Sequence, residues 1–145
     1  MKKIKFENQI KKVSKSEIIF FEKSNNFTFP KEYVQFLLDN NGGVPVERMF
    51  YDKVDDSEFY IRKFYSLKYT NYPLEKVIEN LHGEESLPKD FFPFASNGGA
   101  GVYAFRMQAD FPVYIFTFDG FDPLELSYSF EDFIDDLEER SIDFL

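Results

Sequence analysis

The chain contains no cysteine and no tryptophan, and His82 is its single histidine. Without cysteine there is no disulfide framework, thiol nucleophile, iron–sulfur cluster or cysteine zinc site. With one histidine there is no HExxH helix and no histidine pair for a common zinc set. A Ser-His-Asp set remains arithmetically open. His82, however, stands beside Gly83 at the end of an expected helix, where a cation stabilises the helix dipole without any catalytic duty. Long hydrophobic runs are missing too. MKKIKFENQIKK opens like the basic part of a leader, but the nearest apolar run, Ile18 to Phe21, is far too short to direct export or cross a bilayer. The expectation is a soluble cytoplasmic protein.

Basic residues are outnumbered. Seventeen Lys and Arg against 26 Asp and Glu leave a net charge of −9. Such a surface repels nucleic acid and anionic lipid, and no Lys/Arg stripe interleaved with aromatics overrides it, so neither nucleic acid nor membrane is expected as a partner. A basic partner is favoured, although acid of this kind also simply keeps an aromatic-rich chain in solution. What the chain has in abundance is aromatic material: 20 Phe and 9 Tyr in 145 residues. The length suits one domain over residues 1–145, large enough for a core that needs no staples.

Ser14 and Glu17 have the spacing of a capping box, and Ile18 and Phe21 follow at helical intervals. In PKEYVQFLLDNNGG, Pro30 suits the first helical position, and Tyr33, Phe36 and Leu37 share a face. Asn41 and Gly42 are candidates for the left-handed conformation that ends a helix. ERMFYD and EFYIRKFYSL read as strands on either side of the acidic loop KVDDS. TNYPLEKVIENLHG reads as a helix with Leu74, Val77, Ile78 and Leu81 on its apolar stripe and Gly83 at its end. SLPKDFFPFA, VYAFRM, PVYIFTF and ELSY are strand-like. SFEDFIDDLEER closes the series as a helix, with Ser129 and Asp132 at capping spacing and Phe130, Phe133, Ile134 and Leu137 on one face. This order predicts an α+β fold, with a mostly antiparallel sheet and helices packed against one side of it.

The glycine cluster in FPFASNGGAGVYAFRM invites a phosphate-binding reading. A phosphate cradle needs glycine-lined N–H groups that lead straight into a helix. Gly98, Gly99, Ala100 and Gly101 lead instead into an alternating strand, with no Gly-Lys-Ser/Thr, so the cluster reads as a tight turn with Asn97 and Gly98 at positive φ. Asp52, Asp55, Asp56 and Glu58 crowd one loop but lack the ligand alternation and central glycine of a calcium loop. Asp119-Gly120 and Asp122-Pro123 have turn chemistry. No carboxylate pair stands out as an acid–base couple. The residues point to no cofactor, no metal and no catalytic set.

The order of landmarks carries more. Phe29-Pro30, KEYVQFLLDNNGG with its Asn41-Gly42-Gly43, SLPKDFFPFASNGGAGVYAF with Pro93-Phe94-Ala95, Gly98-Gly99 and Gly101, then Val113-Tyr114, then Ser129-Phe130 with Phe133 resemble the SUKH superfamily (the SMI/KNR group). The resemblance spans residues 29 to 137, and Phe29 stands where leucine is commoner. It implies a sheet with helices on one side, no catalytic motif, and the role of many bacterial members: an immunity protein that binds and neutralises a cognate toxin, often a nuclease. A basic toxin would meet an acidic partner quickly, and aromatic residues suit a tight interface. On charge and loop position the expected contacts are Asp52, Asp55, Asp56, Glu58 and Tyr60 from the middle loop, with Asp119, Phe121 and Asp122 from the late turn. The fungal branch of the family implies an alternative, a regulatory scaffold or small-ligand-binding protein of the cell-wall assembly regulator type. An enzyme built on carboxylates would be marked by a buried couple with opposite pKa shifts.

Overall fold

The computed structural model describes residues 1–119 and 122–139. Helices α1 (Lys15–Asn25) and α2 (Lys31–Asp39) come first. The hairpin of β1 (Met49–Asp52) and β2 (Ser57–Tyr60) follows, then β3 (Lys63–Phe64) and α3 (Leu74–Gly83). The chain continues through β4 (Phe91–Ser96), β5 (Gly101–Arg106), β6 (Val113–Thr117), β7 (Leu124–Ser127) and α4 (Phe130–Asp135). Strands β3 to β7 form a five-stranded sheet in sequence order with every neighbour antiparallel, and β1–β2 is a separate two-stranded sheet. The fold is α+β, as the element order predicts.

The helices begin as their residues dictate. Ser14 Oγ accepts from Glu17 N at 3.2 Å while Glu17 Oε1 accepts from Ser14 N at 2.9 Å, so the capping box satisfies two N-terminal donors reciprocally. Pro30 caps α2 one residue earlier than its spacing suggests. Tyr33, Phe36 and Leu37 are all buried. Ser129 Oγ accepts from Asp132 N at 3.1 Å and starts α4, whose apolar residues Phe130, Phe133 and Ile134 are buried together with Leu137 just beyond it.

One sheet face meets these helices through aromatic rings. The Tyr33 ring lies 5.2 Å from that of Phe105 and 5.2 Å from that of Phe130, and Phe94 reaches Phe130 at 5.2 Å and Phe133 at 5.6 Å. Most of these pairs are edge-to-face, the arrangement the ring quadrupole favours, and such contacts contribute about 0.5–1.5 kcal/mol each beyond area burial. The other face carries Phe91, whose ring meets Phe116 at 4.7 Å and Tyr114 at 5.1 Å, with the Arg106 guanidinium 5.3 Å above it.

Three local expectations change. The segment EFYIRKFYSL is divided: β2 pairs with β1, and after Ile61 and Arg62 the chain joins the large sheet as β3. Asn41 is not a left-handed cap. It is 1 % exposed, and its side chain brackets Leu67, donating to the Leu67 carbonyl at 2.8 Å and accepting from the Leu67 N–H at 2.8 Å, with a further bond to the Lys11 carbonyl at 3.1 Å. Gly42 takes the left-handed position instead, at φ 79°, with the Tyr65 carbonyl 2.6 Å from where a β-carbon would stand. At the end of α3, Gly83 is the last helical residue and Glu85 adopts positive φ in its place.

The N-terminal stretch runs over this body as a strap. The Glu7 N–H donates to the Val44 carbonyl at 2.8 Å and the Val46 N–H to the Lys5 carbonyl at 2.8 Å, while Ile4 and Val13 are buried. Lys2 N donates to Asp135 Oδ1 at 2.6 Å, Lys2 Nζ to the Leu137 carbonyl, and Lys5 Nζ pairs with Glu139 at 3.4 Å.

Candidate partner-binding surface

The acidic loop is the tip of the β1–β2 hairpin. The register sets Met49 against Tyr60, Phe50 against Phe59, Tyr51 against Glu58 and Asp52 against Ser57. Alternation puts Met49, Tyr51, Glu58 and Tyr60 on one hairpin face. Phe50, on the other face, is buried and stacks on Phe133 at 5.1 Å. That contact seats the hairpin on α4, and two backbone bonds hold its flanks: Met49 N to Glu138 O at 3.0 Å and Ile61 N to Arg48 O at 2.8 Å. Tyr103 Oη also donates to the Tyr60 carbonyl at 2.6 Å. The root is therefore anchored in the core while the tip projects.

At the tip, Asp55, Asp56 and Glu58 are exposed and Asp52 is half-buried. Asp52 Oδ1 accepts the Val54 N–H at 3.1 Å and shapes the turn, and Asp56 adopts φ 51°, a conformation its short polar side chain tolerates. Tyr51 Oη donates to Asp56 and Tyr60 Oη donates to Glu58. The bond to Asp56 is the main reason the Tyr51 phenol is pushed up from its ordinary value, with the charges of Glu58 and Asp52 adding to it. Two tyrosines with carboxylate-held hydroxyls thus stand beside the acids on one ribbon.

The late turn leaves the sheet at the same end. β3 joins the hairpin where Lys63 pairs with Ser96, and β6 finishes where Thr117 pairs with Gly101, so both segments depart from the Ser96–Gly101 end of the strands. Asp119 and Asp122 are exposed there, and Asp119 Oδ1 accepts from Thr117 Oγ1 at 2.7 Å. Phe121 lies outside the described residues. Two hairpin residues escaped the sequence reading: Tyr51, and Val54, which is 91 % exposed. The available signal was an apolar residue inside an acidic turn, where solubility alone would place a polar one.

The glycine cluster serves the sheet. Gly98 to Ala100 form a single 3₁₀ turn between β4 and β5, with Gly98 at φ 85° and Asn97 at an ordinary negative φ. The Gly98 N–H is donated to Ser96 Oγ at 3.0 Å and the Asn97 N–H to the Gly101 carbonyl at 3.0 Å. Two of the N–H groups that could face an anion are thus used by the turn itself, and a strand rather than a helix follows it. His82 is likewise engaged: Nε2–H donates to the Phe91 carbonyl at 2.8 Å, along the part of β4 that short β3 does not reach.

Among the described residues no group of three or more His, Asp or Glu could hold a metal ion, and no helix is long and apolar enough to cross a membrane. Glu47 is a buried carboxylate, and one of its oxygens accepts the Lys5 N–H at 3.0 Å. The Glu17 carboxyl is held at about 2, chiefly by the Tyr69 hydroxyl and then by the Ser14 N–H. It serves a helix start.

A family model described as the SMI1 / KNR4 family (SUKH-1) matches residues 12–136. None of the curated proteins compared with the chain matches it.

Proposed function

The chain belongs to the SMI1 / KNR4 family (SUKH-1), and from that premise we propose that it is a cytoplasmic immunity protein that neutralises a cognate basic protein toxin by forming a tight, non-catalytic complex. The observation that carries this reading is the projecting hairpin, a rigidly rooted ribbon that offers Asp52, Asp55, Asp56 and Glu58 beside Tyr51, Tyr60 and exposed Val54. The net charge of −9 steers a basic partner toward such a surface, and the carboxylates fix the register of the encounter. Tyrosines whose hydroxyls are already held supply large contact area at small entropic cost, which is the property of binding hot spots. Asp119, Phe121 and Asp122 complete the proposed contact from the late turn.

The test has two stages. The immobilised protein is exposed to lysate and culture medium of its own organism, and a basic polypeptide retained stoichiometrically at moderate salt is the expected partner. Association of that polypeptide is then timed against a variant carrying Asp55→Lys, Asp56→Asn and Glu58→Lys, the asparagine keeping the left-handed turn position. An on-rate reduced about tenfold or more at low salt, with the difference shrinking as salt is added, is expected. An unchanged on-rate removes the hairpin from the interface.

A further inference from the structure

At the Phe91 end of β4, opposite the hairpin root, a recess of about 340 Å³ opens between the end of α1, the last turn of α3 and the start of β4. Its apolar wall is Phe27, Ile78, Phe92 and Met107, and its rim carries His82 and Lys89. The local structure holds it open. Asn26 turns the chain after α1 at φ 56°, which sets Phe27 against Phe29 at 4.9 Å and Phe92 at 5.3 Å. His82 is fixed by its bond to the Phe91 carbonyl, and the Met107 N–H is tied to the Asp90 carbonyl at 2.7 Å.

The charge of this recess runs against that of the molecule. Acids outnumber bases 26 to 17 along the chain, yet no carboxylate lines the recess. The neighbouring Asp90 is committed to Arg106 at 3.0 Å, and Lys89 makes no ion pair among the described residues. An apolar pocket of a few hundred Å³ with a cationic group at its mouth has the make-up of a small-ligand site. We propose that this recess binds a small free carboxylate with a compact aromatic or branched apolar body, the body against Met107 and Phe92 and the carboxylate on Lys89. The site is independent of the toxin reading and stands or falls without it.

The probe is 3-phenylpropionate, titrated at low salt while the methyl resonance of Met107 is followed. The chain has three methionines, and Met49 lies in the hairpin, so its methyl serves as an internal control. A saturable shift at Met107 with Met49 unmoved is expected. The neutral analogue 3-phenylpropanamide should bind about fivefold more weakly, the worth of an exposed ion pair, and Lys89→Ala should abolish the difference between the two. Lys89 is exposed, so the variant keeps the fold. No saturable shift at Met107, an equal shift at Met49, or equal affinity for acid and amide would each overturn the proposal. A tripeptide ending in phenylalanine offers the same groups on a chain, and tighter binding of that peptide than of the acid would overturn the free-ligand source.

Discussion

The carbonyl oxygen of Phe116 stands 2.0 Å from the point that a β-carbon on Gly101 would occupy. No rotamer relieves that approach, because the obstacle is the backbone of the neighbouring strand. Gly101→Ala should therefore force β5 from β6 and cost about 3 kcal/mol, at the upper end of the range for overpacking. Gly99, two residues earlier, has nothing within 4 Å of its own notional β-carbon. Gly99→Ala should change stability by no more than about 0.5 kcal/mol. Urea denaturation of the two variants separates a sheet-packing glycine from a bystander, and equal losses would contradict this account of the cluster.

Asn41 satisfies both backbone groups of Leu67 from a buried position. Asn41→Ala leaves the Leu67 N–H without a partner and the carbonyl with the Tyr69 N–H alone, and a loss of about 2 kcal/mol is expected in the same assay. Asn41→Asp keeps the acceptor and removes the donor, so it should also destabilise. A fully stable aspartate variant would mean that the donated bonds contribute nothing.

The hydroxyl of Tyr33 is completely buried and has no hydrogen-bond partner among the described residues. Tyr33→Phe removes a desolvated polar group at almost constant shape and should raise stability by about 1 kcal/mol. Burial also pushes the phenols of Tyr33 and Tyr103 up from the ordinary value of 10.0. The unfolded chain ionises them first. Their ionisation thus costs the fold nothing below pH 10 and costs it progressively more as pH rises beyond it, and Tyr33→Phe should soften the alkaline decline seen in melts from pH 8 to 12.

Glu17 has the opposite sign. Its pKa falls from 4.5 to about 2, so the stability it lends is present above pH 4.5 and disappears as pH drops toward 2. Glu17→Gln should flatten that part of the acid profile, measured by denaturant midpoints at successive pH values. A parallel acid decline in wild type and variant would show that Tyr69 and the Ser14 N–H do not hold the charge.

The parts legible in the sequence are those whose causes are local. Ser14 with Glu17, the Tyr33–Phe36–Leu37 face and the alternation of VYAFRM all report the geometry of their own few residues. Nothing local says which strand a strand will join, so the division of EFYIRKFYSL between two sheets was not visible. A polar residue after a helix reads as a cap, and only the fold brings Leu67 to Asn41. The acidic hairpin tip was found because its loop position and charge are one-dimensional properties. Tyr51 and Val54 were missed because their prominence depends on which hairpin face packs on Phe133. The strap was missed for the same reason: a basic, weakly apolar stretch acquires meaning only beside Val44, Val46, Asp135 and Glu139.

That strap has a consequence for how the chain is made. Lys2 leaves the ribosome 133 residues before Asp135, the acceptor of its N–H. During all of that synthesis Lys2 waits without its acceptors, while Lys5 and Glu7 can already dock on Val44, Val46 and Glu47. Fastening Lys2 is accordingly a late step of biogenesis, and a chain truncated before Phe130 would hold the strap only through its bonds to Val44, Val46 and Glu47.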